Sequence, residues 1–440
     1  MKTFKTKRFG GVLLGIMLLV SMAFLSACGS DDDDEQITLT MSWWGGDSRH
    51  EAVQAALDIF MERYPHITVD TQFGAFGGYL DSLILQLSGN TTPDIVQSNF
   101  SWIHTLGGGQ NVFLDLNEVS HIIDFSEWGD LLEFARTADG EIAAVPHGMT
   151  GRVMIYNRPL LDEFGVATFP QTFDELIALG ERVSAANTAI DTGENRYIFF
   201  PFDDVATDIM LLTMLYNETG RVIVQNYQIQ YSIDEVEQMF NILGRMIDSG
   251  TIPSWEQSEA PFDATNPVWM QGRGGSAFEW VGNIFLAGNN FAAHDGVYSL
   301  GVALLPAVAP GAGQAIMQRP SLVHAISRTT NHPEEAALLL NFLYTDEEAL
   351  VALGNEFGIP LSRSAAAISA REGNTVGLQL EGLHLLEAYV GDMGAYFEDP
   401  NLRPPRLHAI EGLRTGHMTA RQAAEYWVNQ QQVELNAMNQ

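Results

Sequence analysis

The stretch from Ile37 to Phe73 constrains the chain most, because three successive elements can be read from it without outside help. Ile37-Thr38-Leu39-Thr40-Met41 alternates apolar and polar residues, the period of a strand with one buried face. It runs into Ser42-Trp43-Trp44-Gly45-Gly46-Asp47, where two indoles sit beside two glycines. Ser48 and Glu51 have the spacing of a capping box at a helix start, and Val53, Ala56, Leu57, Phe60 and Tyr64 form one apolar stripe. Pro65 ends that helix, and Ile67, Val69, Thr71 and Phe73 alternate as a second strand. A strand–helix–strand crossover builds a parallel sheet, and ligands of open parallel sheets bind beyond the carboxyl ends of the strands. Trp43 and Trp44 lie at that end.

The first 27 residues do not belong to this fold. Lys2, Lys5, Lys7 and Arg8 precede an apolar run from Gly11 to Leu25, which closes on Leu25-Ser26-Ala27-Cys28. That pattern reads as a lipoprotein signal with Cys28, the sole cysteine, as the lipidated first residue of the mature chain. Acyl chains there would anchor the protein at the membrane, about 0.8 kcal/mol per buried methylene. Residues 28–36, with the run Asp31 to Glu35, read as an acidic tether.

Composition then excludes whole classes. All three lysines lie in the leader; taking them and Arg8 from the 22 basic residues leaves 18 arginines against 55 acids, a net charge of −37. Without lysine or a free thiol, P-loop, Schiff-base and thiolate chemistry and Cys-ligated zinc are absent from the mature chain. Such acidity excludes nucleic acid as a partner. Lysine avoidance with acid excess also suits an alkaline or saline exterior, where arginine keeps its charge.

Further along, Tyr79–Ser88 reads as a helix with Leu80, Leu83, Ile84 and Leu87 inward, and Pro93–Asn99 as a short buried strand. Three strand ends thus offer Trp43 and Trp44, Phe73 to Tyr79, and Ser98, Asn99 and Trp102 to one edge. Boxes at Thr172–Glu175, Ser232–Glu235, Thr345–Glu348 and Thr419–Gln422 open further helices. Strand and helix alternate throughout, the signature of an α/β fold.

Several of these stretches recur together in a known order. Trp43-Trp44-Gly45-Gly46, Tyr64-Pro65, Gly78-Tyr79-Leu80, Thr92-Pro93-Asp94-Ile95-Val96-Gln97, Val145-Pro146-His147-Gly148 with Ile155-Tyr156-Asn157, Thr172-Phe173-Asp174-Glu175-Leu176 and Pro333-Glu334-Glu335-Ala336-Ala337 resemble the family 1 extracellular solute-binding proteins of ABC transporters. The resemblance implies a two-lobed periplasmic-binding-protein-like fold of type II with the ligand cleft between lobes that close by hinge motion. By analogy the chain crosses between lobes near Pro146–Tyr156, Pro320–Ala325 and Gly358–Leu361. The first lobe would take residues 37–150 and 323–357, and the second 151–322 and 358–440. A monomer is expected, with a carbohydrate ligand and permease subunits as partners, no catalytic residues, no cofactor and no metal.

A sugar needs flat aromatic platforms and fixed polar groups. The platform candidates are Trp43, Trp44, Phe76, Tyr79, Trp280 and Trp255; Trp280 follows the small-residue strand Gly274-Gly275-Ser276-Ala277-Phe278-Glu279. Polar candidates are Asp47, Arg49, Ser98, Asn99, His147, Arg152, Asp203, Glu279 and Arg319. Arg49, Arg152 and Arg319 would also suit a uronate carboxylate. Trp128, Trp269 and Trp427 read as core. Two rivals stand beside this reading. A polyamine-binding protein would want acids between aromatics, as at Phe202-Asp203-Asp204, and a secreted glycosidase would need a spaced carboxylate pair.

Overall fold

The computed structural model describes residues 36–439 apart from 104–105, 107–111, 130–131, 133–134, 138–139, 191–193, 202–203, 255–264, 285–286, 289–290, 292–298, 376 and 395. The leader, Cys28 and the rest of the acidic tether as far as residue 35 lie outside the described residues, as do Asp203 and Trp255.

The described strands are β1 (Ile37–Trp44), β2 (Ile67–Gly74), β3 (Ile95–Ser98), β4 (Val145–Pro146), β5 (Met149–Asn157), β6 (Val224–Gln225), β7 (Gln228–Ile229), β8 (Ser276–Trp280), β9 (Leu300–Ala303), β10 (Ile316–Pro320), β11 (Val323–Ile326) and β12 (Val390–Asp392). They form two principal sheets and a small β6–β7 hairpin. The first sheet has the order β2-β1-β3-β11-β4, and β1 runs parallel to both β2 and β3. Its opening crossover is the one legible from Ile37 to Phe73, with Ile37 paired to Ile67 and Trp44 to Gly74. The second sheet has the order β12-β10-β5-β8, with β9 also paired to β5. Each sheet has its own core. Leu39, Met41, Val53, Phe60, Val96, Val323 and Leu340 belong to the first, and Met154, Phe173, Leu212, Phe240, Phe278 and Trp427 to the second.

The lobes join where three segments run side by side. Residues 147–148 link β4 to β5, and 321–322 link β10 to β11. His147 N–H donates to Leu322 O at 2.8 Å, Leu361 N–H donates to His147 O at 2.9 Å, and Gly148 bridges to Pro360. A Cβ on Gly148 would lie 2.2 Å from the carbonyl oxygen of Ile359, so only glycine admits this approach.

Local signals held where the partners are local. The boxes at Ser232–Glu235 and Thr419–Gln422 are both closed. At the first helix, Asp47–Arg63, the N-cap is Gly46 and no side chain caps it. Ser48 instead donates to Glu356 Oε2 at 3.2 Å, a partner 308 positions away. The expected box at Thr345 is likewise replaced by Asp346, whose carboxylate accepts from Glu348 and Ala349 N–H. In the helix Tyr79–Gly89 only Leu83 is fully buried, and Ile84 and Leu85 face solvent. The helix Arg363–Glu372, expected in the second lobe, packs on the first: Ala365 and Ile368 cluster with Leu350, and Ser364 N–H donates to Glu127.

Candidate functional site

The carboxyl ends of β1, β2 and β3 converge beside the crossing strands, since Val323 pairs with Ser98 on one side and with Pro146 on the other. Successive residues of a strand point to opposite faces, and that separates the two indoles of β1. Trp43 is fully buried, stacks on Phe73 at 5.1 Å between ring centroids and donates Nε1–H to His50 Nδ1 at 3.1 Å. It is a core ring here and offers no face to a ligand. Trp44 lies in an aromatic group with Phe76 (5.6 Å), Tyr79 (4.9 Å) and Trp102 (5.3 Å), and Phe76 stacks nearly parallel on Trp102. Phe76 is the ring left open, 53% exposed against 6% for Trp44 and 5% for Trp102. Tyr79 is pinned through its hydroxyl, which donates to Gln97 O at 3.0 Å and lies 2.9 Å from Ser42 Oγ. Burial raises its pKa, so the hydroxyl stays protonated.

The polar candidates of this lobe separate by what already holds them. Arg49 donates to Trp44 O at 2.9 Å and Glu356 O at 2.8 Å, binding the end of β1 to the segment before the hinge. Ser98 is fully buried and Asn99 nearly so, while Asp47 is exposed. His147 is buried at the hinge beside Phe357 and Tyr344. The side chain of Arg49 and the backbone of His147 are thus both tied to the joint between the lobes. Gln97, not among the candidates, is buried beside Ser98 with an Oε1 that has no partner.

On the second lobe, Arg152 of β5 pairs in register with Trp280 of β8, which sets both side chains on one face. The guanidinium carbons of Arg152 and Arg319 lie 4.6 and 4.5 Å from the Trp280 ring centroid. Trp280 is therefore partly covered by cations and is not the bare platform its sequence context suggests. Arg319 forms an ion pair with buried Glu398 and donates to Pro320 O and Ser321 O, at 2.7 and 2.9 Å. Arg403 also pairs with Glu398, at 3.1 Å. Burial alone would push the Glu398 carboxyl up, but Arg319, Arg403 and Arg152 outweigh it and hold it below the usual carboxylate range. Glu279, opposite Val153 in the register, lies on the other face and accepts from Trp280 N–H at 2.6 Å. Glu398 and Arg403 escaped notice because only the folded chain brings them to β10. Trp102 stands at the first lobe's edge as the strand order implied, yet was not counted as a platform. Among the described residues, no group of His, Cys, Asp and Glu is placed to hold a metal ion.

Residues 46–350 match the family of bacterial extracellular solute-binding proteins. The chain belongs to that family. This solute-binding protein shares its two-lobed fold with a periplasmic solute-binding protein of Pectobacterium atrosepticum, at a TM-score of 0.81 and 25% identity over 92% of this chain and 100% of that one. A Yersinia enterocolitica periplasmic oligogalacturonide-binding protein, solved with saturated digalacturonic acid, is similar to the same degree, with the same TM-score, identity and coverage. In sequence it is 26% identical over 194 residues to the diacetylchitobiose-binding protein DasA of Streptomyces coelicolor, a match that spans 40% of this chain and 44% of that protein. Family membership places the chain's work outside the cytoplasm. No helix among the described residues is long and apolar enough to cross a membrane.

Proposed function

We propose that this protein captures a carbohydrate, an oligosaccharide rather than a single ring, in the cleft between its lobes and delivers it to the permease of an ABC importer. The observation that carries the reading is the aromatic group of Trp44, Phe76, Tyr79 and Trp102 at the converging strand ends, with exposed Phe76 as its open face. Sugars stack their C–H faces on such rings while fixed polar groups meet the hydroxyls. The ligands named for the oligogalacturonide-binding protein and for DasA are both carbohydrates. The lobes correspond to the two sheets, and closure turns on the three segments at Gly148, Ser321 and Gly358. Cys28 carries the lipid anchor, with the acidic tether as its leash, so the protein works at the outer face of the membrane as a monomer.

A cationic solute such as a polyamine fits less well. The second-lobe wall carries Arg152, Arg319 and Arg403, and these would repel it. Calorimetry on the full chain with neutral and acidic oligosaccharides and with spermidine and putrescine tests the reading. Micromolar binding of a sugar, about 8.2 kcal/mol, is expected, with no heat from the polyamines. Polyamine binding without any sugar binding would overturn it.

A further inference from the structure

Resting on the carbohydrate reading, we infer that the second lobe reads an acidic sugar, with Arg152 beside Trp280 forming a subsite for the carboxylate of a uronate residue. The three arginines that would suit a uronate do not have equal freedom. Arg49 is held by two backbone carbonyls, and Arg319 by Glu398 and two more. Arg152 is only 7% exposed, makes one hydrogen bond, from Nη1 to Phe278 O at 2.6 Å, and forms no ion pair among the described residues. Its Nε is buried without a partner.

Charge around it is unbalanced in the same sense. Arg152, Arg319, Arg403 and Arg406 gather around three carboxylates, Glu398, Asp208 and Asp399. Glu398 takes Arg319 and Arg403, and Asp208 takes both nitrogens of the Arg406 fork, with Arg403 3.8 Å away. Four guanidiniums against three carboxylates leave one positive charge in excess among these described groups, in a chain whose net charge is −37 outside the leader. A buried guanidinium with an open donor is costly unless an acceptor completes it, and a carboxylate matches its planar fork. Trp280 supplies the second element, since the Arg152 guanidinium carbon sits over its ring, 4.6 Å from the centroid, on the same face of the sheet. The indole fixes the guanidinium over its ring, so a uronate carboxylate meets an oriented fork, whereas a neutral sugar leaves the charge unanswered.

The test is calorimetry on the full chain with oligomers of galacturonate, glucuronate, mannuronate and guluronate, each beside its methyl ester, and with neutral disaccharides of the same linkages. At least one acid should bind about tenfold or more tighter than its ester, as expected for a charge-assisted contact. The preference should fall near unity in Arg152→Gln and recover in part in Arg152→Lys. A merely structural Arg152 would lower the affinity of acid and ester alike. An ester that binds as well as its acid in the wild type, or a preference that survives in Arg152→Gln, overturns the inference. If Arg152→Gln does not fold, the wild-type comparison of acid and ester decides alone. Neutral sugars binding while every uronate is rejected would sink the carboxylate subsite and leave the carbohydrate reading standing. Binding of no sugar at all would remove both.

Discussion

Acidifying the protein from pH 7 to pH 5 should weaken it through the two histidines buried where the lobes join. His147 and His324 flank Phe357, each with ring centroids 4.9 Å from it, and His324 Nδ1 lies 2.7 Å from the Tyr344 hydroxyl. The Nε2 atom of each is buried without a partner. Burial is the main force lowering both pKa values. His324 and Arg49 add repulsion at His147, which falls well below the ordinary range, and Arg49 adds it at His324, which is pushed down to about 3. Unfolded, each imidazole titrates near a pKa of about 6.5. Between pH 6.5 and 3 the unfolded chain therefore binds more protons than the native one, and stability rises with pH across that window. It is fully present above pH 6.5 and lost as pH falls. At about 1.4 kcal/mol per unit of pH, the loss at pH 5 is about 2 kcal/mol for each histidine. Native carboxylates with lowered pKa values begin to cost stability only from about pH 5 downward, so the interval from 6.5 to 5 reports chiefly on the imidazoles. Thermal melting at fixed ionic strength should show a drop of several degrees between pH 7 and 5. The slope should be smaller in His324→Gln, which keeps a partner for Tyr344 and cannot titrate. A flat profile in the wild type, or an unchanged slope in the variant, would refute the reasoning.

Other perturbations follow from the same geometry. Phe76→Ala should cost about 1–2 kcal/mol of sugar affinity with almost no change in ligand-free melting. Trp102→Ala should cost about 3–5 kcal/mol of fold stability, because that ring is packed; paired calorimetry and melting separate the two. Gly148→Ala sets a methyl 2.2 Å from the Ile359 carbonyl oxygen, and should destabilise by about 1–3 kcal/mol or more by melting. Asp208→Asn leaves the fully buried Arg406 without its charge partner; a loss of about 3–5 kcal/mol is expected in denaturant unfolding.

The parts of the fold that were legible are those whose cause is a short stretch of chain. The alternation in Ile37–Met41 and Ile67–Phe73 marked two strands and their buried faces, because a period of two is fixed by the backbone itself, and the helical crossover between them made the pair parallel. Ser232 and Thr419 closed their boxes because both partners lie three residues away. The box at Ser48 failed for a reason the local stretch does not contain, since Glu356 reaches Ser48 only when the chain has returned to the first lobe. The same long return explains the helix Arg363–Glu372. Its small-residue face fits either lobe by composition, and Leu350 together with Glu127 decides for the first.

The site shows the same division more sharply. That Trp43 and Trp44 face opposite ways is implicit in any strand, but which way is core depends on Phe73 and His50 arriving beneath Trp43. For the arginines, residue type sets only the capacity for a carboxylate. Freedom to meet one is decided by what the fold has already spent. Arg49 and Arg319 are adjacent to segments whose backbone carbonyls turn toward them, and Arg319 meets Glu398, 79 positions away. Arg152 sits mid-strand, where the sheet consumes its backbone groups and leaves the side chain one carbonyl, that of Phe278. A binding residue is thus marked less by its identity than by an unspent donor. That property belongs to the whole hydrogen-bond inventory and becomes visible only once every competing acceptor has a position.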